Sequence, residues 1–221
     1  MQIALQFGPI WPFLDRLAWG VVQTLQLAVL SILFGTIIGT LGAVGRAFGP
    51  RWLSFLISAY VELIRNTPLL IQLYFVFFSL PLFGLRLSSN EAALLALSVH
   101  LGAYATEILR AGVESVPRGQ IEAARALGLS SYRIIRSVVL AQALRAVYPA
   151  LSAQFILQLM GTSIVGAIAA EELTAIANNL VMQTFRSFEV YLVLALIYFV
   201  LIQGASLFFA GLGRLAFRWK V

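Results

Sequence analysis

Long apolar intervals are the feature that most constrains this chain. They run from Val21 to Val44, Trp52 to Gly84, Ala92 to Arg110, Ala146 to Ala170 and Tyr191 to Leu212. A helix of about 20 apolar residues crosses the hydrocarbon core of a bilayer. Only 11% of the residues are charged, against about 25% in soluble domains. The sequence therefore predicts an all-α polytopic membrane protein, with five transmembrane helices in a single domain over residues 1–221.

The second interval is too long for one straight helix and too short for two helices with a loop. Pro68 predicts one long or broken span, because proline removes a backbone hydrogen bond and clashes with the preceding turn. Glu62 and Arg65 precede it three residues apart. Unpaired charges at that depth are costly, so the two are expected to pair with each other or to face a wet cavity.

Small residues mark the first span. Gly35, Gly39, Gly42 and Gly45 are closely spaced along it, and such spacing lets another helix approach closely. Glycine costs about 1 kcal/mol relative to alanine inside a helix, so close packing is favoured over a lipid-facing role.

One amphipathic and basic segment, residues 118–145, interrupts the apolar pattern. Its first half carries apolar residues at three-residue spacing, which indicates a short surface helix: Ile121, Ala124 and Leu127. Gly128 predicts the end of that helix, because glycine adopts the left-handed conformation without steric cost. Ser130 or Ser131 can cap a second helix that continues into the fourth apolar interval.

Three interpretations of this segment compete. A helix-turn-helix with arginines resembles a DNA-binding motif. Apolar spans are fused to both of its ends, however, so no nucleic acid partner is expected. An ordinary loop lying on lipid headgroups is the second interpretation. The third is an element that docks onto another protein.

The basic residues predict the orientation of the chain, since cytoplasmic loops of membrane proteins are enriched in Lys and Arg. Five spans place the two chain ends on opposite sides. One side holds Arg46, Arg51, Arg110, Arg118, Arg125, Arg133, Arg136, Arg145, Arg214, Arg218 and Lys220, and the other holds Arg16, Arg86 and Arg186. The amphipathic loop and the C-terminus are therefore predicted to be cytoplasmic and the N-terminus periplasmic. The N-terminus lacks the basic region of a cleavable signal peptide, so the chain is expected to be retained whole.

Catalytic and cofactor-binding patterns are missing from the sequence. Lys220 is the only lysine and no P-loop pattern occurs, so ATP binding by this chain is not expected. The single histidine and the lack of cysteine exclude thiolate and multi-histidine metal sites. No G-x-S-x-G pattern is present. The chain is therefore expected not to be an enzyme and to carry no cofactor or metal.

Polar residues inside the spans are the best functional lead. His100, Tyr104 and Glu107 share one face of the third span. Gln154, Gln158 and Thr162 follow one another at four-residue spacing in the fourth. Such side chains face a cavity or a neighbouring helix, because lipid offers them no partner. Both interhelical hydrogen bonding and a translocation path remain open.

The amphipathic loop resembles the EAA loop of ABC importer permeases through Glu122-Ala123-Ala124, Gly128, Ile134-Ile135 and Leu140. Further segments look like the polar amino acid uptake subfamily of these permeases, the histidine, glutamine and arginine type. They are Glu62 to Leu73, Gly102 to Arg110, Ser115 to Ala124 and Thr162-Ser163. Together, in this order on five spans, they make the resemblance specific.

The resemblance implies a type I ABC importer permease fold in the bacterial inner membrane. It implies a cytoplasmic coupling loop over residues 111–145 that docks onto a dimer of ATPase subunits, which bind the ATP. A second permease subunit, identical or a sister chain, and a periplasmic or lipid-anchored substrate-binding protein are the further partners, besides membrane lipid. The residues implied in coupling are Gln120, Glu122, Ala123, Ala124, Leu127 and Gly128.

The resemblance also implies a substrate site near mid-membrane between the third and fourth spans. Its candidate residues are His100, Tyr104, Gln158, Thr162 and Ser163. The family often has a charged pair before Thr-Ser, whereas Met160-Gly161 stand here, so this subunit is expected to discriminate less among substrates. Ala141 replaces the usual proline and should leave that helix straighter. The alternative function is a self-contained secondary carrier or channel, although no internal repeat supports it.

Overall fold

The fold is known from a computed structural model, which describes residues 5–217. Arg218 and Lys220, which contribute to the predicted charge asymmetry, lie outside the described residues. Throughout residues 5–217 the regular structure is helical, as predicted. A 3-10 helix, Gly8–Phe13, precedes α1. The α-helices are α1 Leu14–Phe48, α2 Arg51–Arg65, α3 Leu69–Tyr74, α4 Ser89–Glu114, α5 Arg118–Ala126, α6 Ser131–Ile134, α7 Leu140–Gly161, α8 Leu173–Thr184 and α9 Ser187–Ala216.

Close packing of α1 on α4 forms the centre of the molecule. A methyl group added to Gly35 would lie 2.7 Å from Leu101 Cβ, and one added to Gly39 or Gly42 would collide with Ala105 or Thr106. The glycines therefore permit the close approach that their spacing predicts. Because Gly35 meets Leu101 and Gly42 meets Thr106 further on, the two helices run parallel.

The parallel arrangement fixes the role of the second apolar interval. The chain leaves α1 at one end of the bundle and must enter α4 at the other, so residues 49–88 have to cross between them. They do so as two helical pieces, Arg51–Arg65 and Leu69–Phe83, which meet at an angle of 110°. The second piece continues α3 through a π-helical turn, Phe75–Ser79, and a 3-10 turn, Leu80–Phe83. The break predicted from Pro68 is confirmed. Four helices are long and apolar enough to cross a membrane, and the bent pair supplies the fifth crossing if it counts as one span.

The remaining spans alternate in direction. Gly112 of α4 lies against Val147 of α7, and Leu97 accepts a hydrogen bond from Gln158, so α4 and α7 are antiparallel. Phe155 packs on Phe209 of α9 with ring centroids 5.6 Å apart, and Tyr148 lies against Gly213, so α7 and α9 are also antiparallel. The ends of α1, α4 and α9 therefore lie with the start of α7 at one end of the bundle. This end carries α5 and is called the α5 end below.

The fourth span begins earlier than the apolar pattern predicts. Residues 131–168 form one continuous helical stretch, in which a π-helical turn, Ile135–Val139, joins α6 to α7 and a 3-10 helix, Thr162–Ile168, follows α7. Ala141 introduces no proline break there, but the π-helical turn just before it means that the backbone is not a regular α-helix. Amphipathic residues thus extend the helix well beyond the apolar interval.

Two clusters of buried side chains hold the opposite end of the bundle. One joins α3 and α4 to the 3-10 helix after α7 and includes Leu73, Leu97 and Val165. The other joins α1, α8 and α9 and includes Leu17 and Leu180. Helix α8 lies between the fourth and fifth apolar intervals. It forms because Glu172 caps its first turn, accepting hydrogen bonds from the backbone nitrogens of Thr174 and Ala175 at 2.7 Å each.

Candidate functional site

The turn after α5 has the geometry that Gly128 predicts. Gly128 adopts φ +74°. Its N–H donates to the carbonyl of Arg125, and the N–H of Leu129 donates to that of Ala124, which together form a Schellman motif. Ser130 then caps α6 by accepting from the backbone nitrogen of Arg133 at 3.4 Å. The helix, turn and second helix are confirmed.

The residues implied in coupling divide into an inner and an outer set. Ala124 is buried and faces the rest of the chain. The others lie on the exposed surface at the α5 end, with Leu127 at 81% exposure: Gln120, Glu122, Ala123, Leu127 and Gly128. Gln120 also accepts a hydrogen bond from Gln142 of α7, which ties α5 to the fourth span. This short helix therefore presents one large apolar side chain, Leu127, among exposed polar residues, and is a candidate docking surface.

Charged residues form ion pairs at the same end of the bundle. Glu107 accepts from Arg46 of α1 at 2.8 Å and pairs with Arg110, which also pairs with Glu114. Glu107 was predicted to share the polar face of His100 and Tyr104. Its carboxylate joins the ends of α1 and α4.

A second polar cluster lies where the second span breaks. The side-chain nitrogen of Gln72 donates to the carbonyls of Ile64 and Thr67 at 2.8 and 3.0 Å and lies 2.9 Å from Thr67 Oγ1. These carbonyls belong to the broken end of α2, where helical partners are missing. The side-chain oxygen of Gln72 lies 3.0 Å from Nδ1 of His100. One glutamine therefore joins the break to the middle of α4.

His100 and Tyr104 come together, as their spacing predicts. Their ring centroids are 4.9 Å apart, and the guanidinium carbon of Arg65 lies 5.6 Å from the centroid of Tyr104. Both His100 and Tyr104 are half-buried, whereas Arg65 is exposed. Histidine and guanidinium groups thus both contact the Tyr104 ring, level with the middle of α4. These three residues and Gln72 are called the mid-span cluster below.

Glu62 and Arg65 do not pair with each other among the described residues, and the alternative, that both face a wet cavity, stays a prediction. Glu62 accepts instead from the side chain of Asn66 at 3.0 Å, and Arg65 turns to Tyr104. The break at residues 66–68 explains this, because it ends the helix just beyond the two charges and supplies other partners. Both side chains are exposed on the chain.

The remaining candidates for substrate binding lie apart from the mid-span cluster. Gln158 is only 2% exposed and donates to Ser31 Oγ and to the carbonyl of Leu97, at 3.1 and 2.9 Å. Thr162 is fully buried and donates to the carbonyl of Leu159. Ser163 is half-buried and donates to Met160. For Gln158 and Thr162 these positions favour interhelical packing, the alternative left open by the sequence.

Gln72 is the member of the cluster that sequence reasoning missed. It lies inside the segment that carries the family resemblance, four residues after Pro68, but its partners are 5, 8 and 28 residues away. A glutamine one turn beyond a helix-breaking proline was the available signal. Among the described residues, no group of three or more His, Asp or Glu side chains comes close enough to hold a metal ion.

Two cavities lie at the ends of the bundle, away from the mid-span cluster. One, of about 650 Å³, is bordered by Asp15, Arg16 and Asn179 at the end opposite α5. The other, of about 670 Å³, lies at the base of α5, between Gln120, Gln142 and Arg145.

Comparisons with known proteins agree with this architecture. A family model described as binding-protein-dependent transport system inner membrane component matches residues 19–216. The glutamine transport system permease protein GlnP of Escherichia coli K12 is 35% identical over 217 residues, covering 97% of this chain and 98% of the relative. The L-cystine transport system permease protein TcyB of Bacillus subtilis is 36% identical over 192 residues, covering 86% and 81%.

Solved structures give the same result. A crystal structure of an amino acid ABC transporter with histidines superimposes with a TM-score of 0.90 and 33% identity, covering 96% of this chain and 99% of that one. The MetNI methionine ABC transporter, at 24% identity and a TM-score of 0.74 over 93% of this chain and 98% of that one, shares the fold. The chain therefore belongs to the family of inner-membrane components of binding-protein-dependent transport systems, the permease subunits of ABC importers.

Proposed function

We propose that this permease subunit imports an amino acid and that α5 with its turn transmits the state of a separate ATPase to the spans. Relatives named for glutamine and cystine transport support this substrate class. The single observation that carries the coupling role is the exposed outer surface of α5, which presents Leu127 beside a rigid left-handed turn.

Coupling requires that the partner distinguish conformations of the permease. An ATPase dimer that holds the coupling helices together in one nucleotide state must bind one arrangement of the spans better than another, for otherwise no population shifts. Here α5 leads directly from α4 and is tied to α7 through Gln120 and Gln142. A displacement of α5 therefore acts on the two spans that meet at Gly112 and Val147.

The α5 end is accordingly proposed to be cytoplasmic, with the loop of residues 111–145 as the docking segment. The N-terminus is proposed to be periplasmic, where a substrate-binding protein delivers the amino acid. This chain is proposed to bind no ATP itself and to act beside a second permease subunit. His100 and Tyr104 are proposed to line the path, because they are accessible at the break where Gln158 and Thr162 are not.

Co-expression with a candidate ATPase subunit, followed by co-purification, tests the coupling role. Gly128→Val should release the ATPase and abolish stimulation of ATP hydrolysis by the binding protein, because a β-branched residue resists φ +74°. Gly128→Asn should retain much of both, since asparagine tolerates this conformation.

Gly84→Val is the matched control. Gly84 also has positive φ, +85°, and open space around its Cβ position, but it lies at the opposite end of the bundle. The same backbone strain there should leave ATPase binding intact. Equal binding by Gly128→Val and wild-type chains would contradict the docking role of α5.

A further inference from the structure

The cavity at the base of α5 is lined by both polar and apolar side chains. It measures about 670 Å³ and lies where the end of α4, α5 and the start of α7 meet. Its polar lining consists of Ser115, Gln120, Gln142 and Arg145, and its apolar lining of Val116, Ala146 and Pro149. Such a lining suits an amphipathic ligand, because polar groups fix its orientation and apolar groups cover the rest.

The cavity lies across the boundary between the basic segment and the membrane. Arg145 is the last residue of the basic segment, and the fourth apolar interval begins at Ala146. Pro149 lies one turn inside that interval, whereas Gln120 and Gln142 belong to the basic segment. Phospholipids present a polar headgroup and acyl chains at this boundary. The position of the cavity therefore favours a membrane lipid as its occupant.

Arg145 gives the cavity a positive charge. Its side chain is exposed and makes no ion pair with any of the residues 5–217, and none of the described lining residues is acidic. Arg46 and Arg110, at the same end of the bundle, are instead paired with Glu107. A guanidinium can bind phosphate through two parallel hydrogen bonds, and basic pockets between membrane helices suit anionic headgroups. Charge complementarity therefore selects an anionic lipid.

Gln120 supplies a second hydrogen-bond donor. Its side-chain oxygen accepts from Gln142, which leaves its NH2 group free to donate, with no hydrogen-bond partner for that group in the part of the chain that the structure describes. Gln120 belongs to α5 and Arg145 to α7. A ligand that accepts from both residues therefore bridges the two helices, in addition to the direct bond between Gln120 and Gln142.

We propose that this cavity binds the headgroup of an anionic phospholipid, which thereby supports α5 against α7. The phosphate accepts hydrogen bonds from Arg145 and Gln120, and the adjoining acyl chains contact Ala146 and Pro149. The inference goes beyond the proposed function, since lipid binding requires neither a transported solute nor ATP.

Lipid selectivity is measured by native mass spectrometry of the full chain, purified in detergent with equal amounts of dioleoyl phosphatidylglycerol and dioleoyl phosphatidylcholine. The two lipids share their acyl chains and differ in net charge. The wild-type chain should retain phosphatidylglycerol preferentially. Arg145→Gln should weaken this retention about fivefold, the factor expected for one basic residue at an anionic surface. Arg145→Lys, which keeps the charge, should retain most of the preference.

Two further variants separate the cavity from general surface charge. Arg51→Gln is the matched control, because Arg51 is also exposed, lies at the same end and directly precedes an apolar interval, but does not line the cavity. It should leave the preference unchanged. Ala146→Trp fills the cavity without altering any charge and should displace the lipid. Arg145 and Ala146 are both exposed, so thermal midpoints measured with phosphatidylcholine alone should match the wild-type value.

Support of α5 by the lipid is measured by amide hydrogen exchange in nanodiscs. Exchange in Arg118–Ala126 should be slower in discs that contain phosphatidylglycerol than in discs of phosphatidylcholine alone, because a bound ligand suppresses local opening. The difference should disappear in Arg145→Gln. Helix α8, at the opposite end of the bundle, is the internal reference and should not respond.

Each other outcome overturns the inference. Equal retention of the two lipids removes headgroup recognition, and equal effects of Arg145→Gln and Arg51→Gln indicate diffuse attraction to surface charge. Displacement of the lipid by excess inorganic phosphate assigns the cavity to a soluble anion, and its loss when a candidate ATPase subunit co-purifies assigns the cavity to that partner. Bound lipid without slower exchange in α5 removes the supporting role. Co-purification of the ATPase with the wild-type chain still tests the proposed function separately.

Discussion

At the scale of single residues, the buried carboxyl group of Glu172 makes the clearest pH-dependent contribution. Besides capping α8, it accepts from the Tyr198 hydroxyl at 2.9 Å and is fully buried. Burial raises the pKa of this carboxyl above its ordinary value of 4.5, outweighing the hydrogen bonds, which lower it. Because the pKa is higher in the folded chain than in the unfolded chain, the protonated carboxyl stabilises the fold fully at pH values below the unfolded-state pKa. This stabilisation is lost as the pH rises through the folded-state pKa.

The expected result is a thermal midpoint that declines as pH rises above 4.5, measured in detergent. Glu172→Gln, which stays neutral at every pH, should flatten this part of the profile. Glu171→Gln is the control, because Glu171 is the neighbouring residue and its side chain is exposed. A wild-type profile that matches the Glu172→Gln profile would show that the carboxyl titrates as it does in the unfolded chain.

Residues differ in how far their roles could be predicted. Gly128 and Ser130 act within one turn, so local pattern was sufficient for both. Gln72 and Gln158 act across spans, on partners that only the packing of helices brings close. Glu62 and Arg65 had the right spacing for a pair, but nearby Asn66 and Tyr104 compete for them. Helical spacing shows which side chains can reach each other, but it does not show which of several possible partners a side chain will contact.

At the scale of elements, the packing of α1 on α4 follows from small residues along one helix face. Between membrane helices, close contact rather than water exclusion provides the attraction, so the absence of a side chain matters. The sequence predicted that something would approach these glycines, but not that α4 would do so in a parallel direction. That direction depends on the break in the second span, which returns the chain across the bundle.

Gly39→Leu is expected to destabilise the chain through this contact. The added side chain would collide with Ala105, which lies in the backbone-to-backbone contact of α1 with α4 and cannot move aside. Overpacking of this kind typically costs about 1–3 kcal/mol. Thermal unfolding in detergent should show a clearly lower midpoint for this variant. Gly204→Leu, in α9 with open space around its Cβ position, should change the midpoint little; equal midpoints for the two variants would contradict the role of the contact.

At the scale of the whole molecule, α4 connects the two places proposed to act in transport. It carries His100 and Tyr104 at its middle and Glu107 and Arg110 near the end that leads into α5. The fourth span runs beside it in the opposite direction and is tied to α5 through Gln142. We therefore expect a movement of α5 to reach the mid-span cluster through these two helices.

The five crossings can be tested with single cysteines, because the chain has no native cysteine. Cysteines at Gly8, Leu85 and Asn179, at the end opposite α5, should react with a membrane-impermeant maleimide in intact spheroplasts. Cysteines at Phe48 and Ala126, at the α5 end, should react only after lysis, since the distribution of basic residues predicts that this end is cytoplasmic. All five positions are exposed on the chain.

Leu85 is the decisive position. It follows the broken span. A cysteine at Leu85 should therefore react in intact spheroplasts, as at Gly8, if residues 49–88 cross the membrane, and only after lysis, as at Phe48, if they turn back. Because α1 and α4 run parallel, the structure requires the first result. Labelling of Leu85 only after lysis would make the second apolar interval a re-entrant loop, which is incompatible with the contacts of Gly35 and Gly42. The reverse pattern at all five positions would keep the crossings but place the α5 end outside, away from any cytoplasmic ATPase.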